Sequence, residues 1–497
     1  MPEPTLTALE FPELLRVIQT YAVSDLGRDF LGALKPCTDL PRLAAPFRQL
    51  QELRELQYRE GPLPLTDFPL LTTWLNRATV RGSLLPPEAF TNVLQVLRLS
   101  RQLKHYLKLG GDLAPSLAAL ADRLRDLSAL AEPIAQCISP HNFILDQASP
   151  GLAQVRRELT ETRESVNRQI KQSFFTAEYQ DVLQNPIISQ RHGRYVIPIK
   201  ADHKGAIPGI IHDQSQTKAT LYLEPLAVVE HNNALNLLHN REKREEEAVL
   251  RRLTDLLRAY LDDVHLTLAV LAELDAIQAK ARFAEEFRAR EPIWRTKGGV
   301  DFRQARHPLL VQQSRGQANA RDVVPIDLEL TPERRFLIIS GANAGGKTVA
   351  LKTLGLLTLM VQSGIPIPVA EGSEFCPFAA IFADIGDPQD LSQHLSTFSA
   401  HLKRALTMLT GLPESALSSW TNWARPPTPP KAAPWPWPCS RPSTSAGLTA
   451  RPPPTCPFSR VLPKRPKALK TWRWFLMKRP GGPLIAWPTA WWEPPTP

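Results

Sequence analysis

The sequence predicts an α-helical region, then a partial α/β domain, then a tail without regular fold. Three observations carry that expectation. Residues 226–291 contain no Gly and no Pro. The apolar run Arg335-Phe-Leu-Ile-Ile339 leads into a glycine-rich turn and then a helical pattern. Composition also breaks near residue 415. Residues 415–497 hold 12 Lys and Arg against one acid, Glu493, with 20 of the 48 prolines and 9 of the 11 tryptophans.

That break changes the meaning of the charge. A net charge of +10 over 497 residues suggests a polyanion partner. Residues 1–414, however, carry 47 basic and 48 acidic side chains, so the excess belongs to the tail. With 43% hydrophobic residues the chain can build several cores. The five cysteines form no CxxC pair, which argues against a zinc knuckle or a disulfide framework. No leader pattern and no run of 18 apolar residues occurs, so no membrane partner and a cytoplasmic location are expected.

Residues 1–150 read as a helical core. Leu9, Leu14, Leu15 and Ile18 show helical spacing, Leu94–Leu107 is Leu-rich, and prolines punctuate the helices. Residues 151–291 read as long lever helices with an insert at 187–225. Val155, Leu159, Val166 and Ile170 give the first helix coiled-coil character. The insert holds β-type runs, Tyr195-Val-Ile-Pro-Ile199 and Ala219-Thr-Leu-Tyr-Leu223, joined by Gly, His and Asp. Residues 226–291 as one helix would be roughly 100 Å long, a lever paired with the helix from 152. Two shorter helices with a kink are the alternative.

Residues 292–414 take on an α/β pattern. The run 335–339 suits a buried parallel strand. After it comes Gly341-Ala-Asn-Ala-Gly-Gly-Lys-Thr348, which matches GxxxxGK[ST]. Gly341, Gly345 and Gly346 let backbone N–H groups curl around a phosphate without Cβ clashes, and Asn343 is assigned to the same loop. The helix starting near Gly346 points its positive end at the same anion. Lys347 suits the β- and γ-phosphates of ATP, and Thr348 suits Mg²⁺. His192, His203, His212 and His307 have no ligand spacing, so no protein-held metal is expected.

Downstream lie Ala383-Asp-Ile-Gly-Asp387 and Ser396-Thr-Phe-Ser-Ala-His401. With the phosphate loop, these stretches resemble the MutS family of ATPases, in particular the bacterial type without a mismatch-reading domain. Residues 190–200, 209–215, 223–225 and 306–308 carry the same resemblance, which spans about residues 5–414. Ala342 stands where the family usually has Pro. Thr217 and Lys218 stand near a small residue and Gly, so the clamp-base turn is expected to differ. The resemblance implies an ABC-type P-loop fold and a homodimer that sandwiches ATP. It implies that Ser396 and Thr397 reach the partner's nucleotide. It also implies a DNA clamp at the lever ends, acting on branched or recombining DNA or, in a second use, on collided ribosomes. Family members often carry a C-terminal Smr nuclease domain, which these 497 residues are expected to lack.

Such an ATPase needs a later apolar strand ending in Asp-Glu. Residues 415–497 contain no Asp, so no catalytic residue is assigned and the chain is expected to be inactive as an ATPase. The genetic code offers an explanation, because Trp has a single codon. Codons begun on the third base across Trp420-Thr-Asn-Trp-Ala424 read Asp, a codon permitting Glu, Leu, then Gly. Ser418 and Ser419, if encoded by TCN, help form two NTC codons, which always specify Phe, Leu, Ile or Val. The shifted reading is apolar-apolar-Leu-Asp-Glu-Leu-Gly, with the later run Thr428–Ala432 permitting Asp-Pro-Thr-Glu-Gly. A one-base frameshift near residues 412–418 therefore explains the tail. A genuine Pro-rich, nucleic-acid-binding tail with stacking Trp explains the composition but not the recovered motif. The alternative for the whole chain is a non-catalytic helical fragment that binds DNA or dimerises. Resequencing the coding DNA across codons 405–430 is expected to show a one-base insertion or deletion relative to the Asp-Glu frame. An intact region encoding Ser-Ser-Trp, with no open alternative frame, would defeat the frameshift reading.

Overall fold

The computed structural model describes residues 2–296, 298–315, 322–340, 346–385, 413, 415–420, 473–478 and 484–489. The described residues are mostly helical, with small sheets. The chain opens with α1 (Glu3–Ala8), α2 (Phe11–Gln19), α3 (Asp25–Gly32) and α4 (Leu40–Glu60). Next come α5 (Thr72–Thr79), α6 (Pro87–Leu109), α7 (Pro115–Arg123), α8 (Ser128–Cys137) and α9 (Pro150–Phe174). Strands β1 (Ser189–Arg191), β2 (Arg194–Lys200), β3 (Gly209–Gln214) and β4 (Thr220–Pro225) precede α10 (Leu226–Ala259) and α11 (Leu261–Glu286). Then follow β5 (Ile293–Trp294), β6 (Val300–Ala305), α12 (Pro308–Arg315), β7 (Ile326–Leu330) and α13 (Lys347–Val361). The last strands are β8 (Glu374–Phe375), β9 (Ala380–Asp384), β10 (Ala416–Trp420), β11 (Arg473–Lys478) and β12 (Leu484–Thr489). No described helix is long and apolar enough to cross a membrane.

The chain divides into two compact units. One contains residues 1–22, 29–54 and 276–497, the other residues 23–28 and 55–275.

In the second unit α9 and α10 run antiparallel. Ser149 caps α9 by accepting from the Leu152 N–H at 3.0 Å, and Pro150 fills the first helical position, where no donor is needed. Val155, Leu159, Val166 and Ile170 are buried, as their spacing predicts. They join Ile197, Ile199, Leu221 and Leu223 of the sheet in one core. Each such aliphatic side chain contributes about 1.5–3 kcal/mol on burial. Arg156 fastens the pair midway, reaching Glu242 at 2.9 Å, Glu246 at 2.7 Å and Asp146 at 2.6 Å.

The sheet has the order β1-β2-β4-β3 and is antiparallel throughout. His192 and Gly193 form the two-residue β1–β2 turn at φ 49° and 75°, the left-handed pair that matches strand twist. The β3–β4 register slips between Ile211 and Asp213, so His212 is a bulged residue. At the far end Lys218 holds φ 58°, where the resemblance leads one to expect Gly.

The first unit holds a sheet of order β5-β8-β6-β7 and a parallel pair, β9 with β10. Helix α13 is buried on nearly every face from Leu351 to Val361. That pattern belongs to a core helix rather than a surface one.

Three sequence expectations are corrected. Residues 226–291 do not form one helix, since the chain breaks at Tyr260 into helices of 34 and 26 residues. The break sets Arg258 in the last turn of α10 and Asp262 and Asp263 in the first turn of α11, each where its charge suits the helix dipole. Residues 335–339 form no strand and are only half-buried. An apolar run becomes a buried strand only where neighbouring strands cover it, which its own composition cannot supply. The segment after 415 is not without regular structure, since it contributes β10, β11 and β12. Runs such as Arg-Trp-Phe-Leu-Met-Lys have the aromatic and apolar content that favours strands.

Replacing Lys218 by Gly removes the cost of a left-handed residue bearing a Cβ. The Lys218→Gly chain is expected to gain about 0.5–1 kcal/mol in the unfolding of the second unit, measured by denaturant titration.

Candidate nucleotide site

Gly346 sits immediately before α13 at φ 81° and ψ 10°. A residue with a Cβ pays to adopt that conformation, so glycine is required by backbone angle. Among the described residues, an added Cβ would meet no atom within 4 Å. The open approach leaves room for a ligand at the helix start. Lys347 and Thr348 form the first turn of α13, with Lys347 half-buried and Thr348 exposed. Of the other residues assigned to this site, Gly341, Asn343 and Gly345 lie outside the described residues, as do Ser396 and Thr397.

Thr348 lines a cleft of about 420 Å³ together with Glu10, Glu13, His307, Gln313 and Lys352. Lys352 donates to Glu10 Oε1 at 2.6 Å. His307 is 4% exposed, and its Nδ1 has no hydrogen-bond partner among the described residues. Burial pushes its pKa down to about 4, with Lys352 adding to the effect and Glu10 opposing it. His307 is therefore neutral at pH 7, and its 3.8 Å separation from Glu10 is not an ion pair. The sequence quoted His307 within Arg306-His-Pro308 but offered no signal for Glu10, which lies 342 residues from Lys352.

Strand β9 ends in Asp384, and the register sets position 420 opposite it. That position is Trp420. Immediately before it, Ser418 and Ser419 are each 1% exposed, and neither hydroxyl has a partner among the described residues. Each buried unpaired hydroxyl costs about 1–3 kcal/mol. If both serines are encoded by TCN, these are the two positions at which the shifted codons specify an aliphatic residue or Phe.

The residues present thus fit the phosphate end of a nucleotide. Gly346, Lys347 and Thr348 would hold the phosphates, and the Thr348 hydroxyl would face the Mg²⁺. Residues 415–497 supply no Asp and a single Glu, Glu493. No group of three or more metal-ligating side chains occurs among the described residues.

A separate polar cluster lies in the sheet of the second unit. Glu224 is fully buried and accepts from Arg194 Nη1 at 2.6 Å and Asn232 Nδ2 at 2.7 Å. Its other oxygen is 2.5 Å from His212 Nε2. The bulge in β3 turns His212 toward this carboxylate. Asn232 also holds both backbone groups of Tyr195, at 3.0 and 3.1 Å. The sequence singled out residues 190–200, 209–215 and 223–225 but did not show that they converge on one carboxylate.

The family profile described as MutS domain V matches residues 337–417. Endonuclease MutS2 of Bacillus velezensis is 36% identical over 420 residues, covering 84% of this chain and 52% of that protein. Putative endonuclease MutS2 of Bacillus subtilis is 37% identical over 421 residues, with the same coverage. Endonuclease MutS2 of Pelotomaculum thermopropionicum is 37% identical over 414 residues. The chain spans about half the length of these curated relatives.

The His307 shift makes a stability prediction. Its folded pKa lies below the unfolded value of 6.5, so the unfolded chain binds the extra proton. The stabilisation is complete above pH 6.5 and is lost as the pH falls toward 4, by up to about 3 kcal/mol. Denaturant titrations between pH 7 and 4 are expected to show a shallower pH slope for His307→Asn than for the parent.

Proposed function

This chain belongs to the MutS family, of the MutS2 type, and from that premise we propose that it is a nucleotide-binding clamp protein whose hydrolytic strand has been lost to a frameshift. In this reading ATP with Mg²⁺ binds at Gly341, Asn343, Gly345, Gly346, Lys347 and Thr348. Ser396 and Thr397 serve the partner's nucleotide in a homodimer, and the helix pair carries closure to DNA. Branched or recombining DNA is the expected substrate, with the ribosome as the second candidate.

One observation carries the loss of hydrolysis. Strand β10 buries two serine hydroxyls that have no partner among the described residues, and it ends in Trp420 opposite Asp384, where this ATPase type needs an apolar strand that leads into an acid pair. The family match stops at residue 417, one position before those serines. The first residues of β10, Ala416 and Leu417, are buried and apolar as the family strand requires. A frame lost immediately afterwards accounts for both facts and for the acid-poor tail.

A second reading is a non-catalytic helical fragment that dimerises or binds DNA. It is favoured by the make-up of the unit at 23–28 and 55–275, whose core draws on no residue of the altered tail.

The test is an ATP hydrolysis and binding assay on the purified chain. Binding is expected to be weak and turnover absent, and turnover at the rate of a complete MutS2-type ATPase would overturn the proposal. Restoring the apolar residues by Ser418→Val with Ser419→Leu is expected to raise stability by about 2–4 kcal/mol without restoring turnover. Gel shifts with four-way and linear DNA at fixed salt separate the second reading from an inert fragment.

A further inference from the structure

The corner Leu9-Glu10 between α1 and α2 is not explained by those two helices alone. Glu10 holds φ 59°, a left-handed conformation that disfavours any residue with a Cβ. Its carboxylate accepts from Lys352 at 2.6 Å. Beside it, fully buried Leu9 occupies the space next to Gly355, where an added Cβ would lie 2.5 Å from Leu9 Cδ2. Both contacts fall on α13, which starts at Lys347. Lys352 lies four residues beyond Thr348, so the two share one helix face and line the same cleft.

We propose that Glu10 is a positioning residue for the nucleotide. Resting on the nucleotide reading above, the inference assigns it two effects. It ties the second turn of α13 to the N-terminal corner of the chain, and through the helix holds Lys347 and Thr348 where phosphate meets them. It also neutralises Lys352, which would otherwise be a loose cation one turn from the phosphates. Gly355 and Leu9 set the height of the helix on this seat, and the Glu10–Lys352 pair sets its rotation. The left-handed backbone at Glu10 is the local cost of that seat.

The experiment uses the full 497-residue chain and a fluorescent ADP analogue with magnesium. Glu10→Gln keeps the volume and removes the charge. It is expected to weaken nucleotide binding about tenfold and to speed amide hydrogen exchange at residues 347–351. Lys352→Met is expected to produce the same loss, and the double variant to be no worse than either single one. Additive losses, or unchanged affinity and exchange in Glu10→Gln despite a lower Tm, would reduce Glu10 to a structural brace and overturn the proposal. If the parent chain binds no nucleotide, the nucleotide reading fails by itself. Amide exchange at 347–351 then decides whether Glu10 holds the helix, and equal rates in parent and variant reject it.

Discussion

A helix that is apolar on every face must be covered on every face, while an anion-binding helix must leave its first turn open. Helix α13 is covered along its body and open at its start. From Leu351 to Val361 it is buried, yet Thr348 and Gly346 remain exposed. The cover comes from residues remote in sequence. Leu9 lies against Gly355, Glu10 holds Lys352, and β9 with β10 supplies the parallel pair. Burial of this helix therefore draws on segments remote from it in sequence.

The same constraint explains why β10 matters. A strand beside a buried helix should be apolar throughout, and Ala416 and Leu417 obey. Ser418 and Ser419 do not, and their buried hydroxyls have no partner among the described residues. Serine is small enough to enter the space, so the strand forms, but it leaves two polar groups dry. The disagreement between backbone placement and side-chain chemistry begins at the point where the family match ends.

The second unit follows a different rule. Its sheet closes around Glu224, a carboxylate removed from water and kept there by an arginine, an asparagine and a histidine. Removing one partner from such a cluster leaves a buried charge short of bonds, a cost of several kcal/mol. The β3 bulge and the Asn232 clamp on Tyr195 are therefore parts of one arrangement that fixes strand register against α10. The hydrophobic core of α9, α10 and the sheet supplies the bulk of the stability, and the polar cluster supplies the register.

Much of this was legible in the chain itself. Helical spacing located Val155, Leu159, Val166 and Ile170 in a core, because periodicity reports which face is buried. The start of α13 at Gly346 was also legible, because a left-handed turn into a helix favours glycine. The change of composition at 415 was plain as well, because 12 basic residues against one acid is a count that needs no fold. Tertiary structure alone decided the rest. It broke the long helix at Tyr260, left residues 335–339 without a strand, and brought Glu10 to Lys352 and His212 to Glu224. Strand pairing and the partners of a buried charge are contacts between distant segments, and no local pattern of residues encodes them.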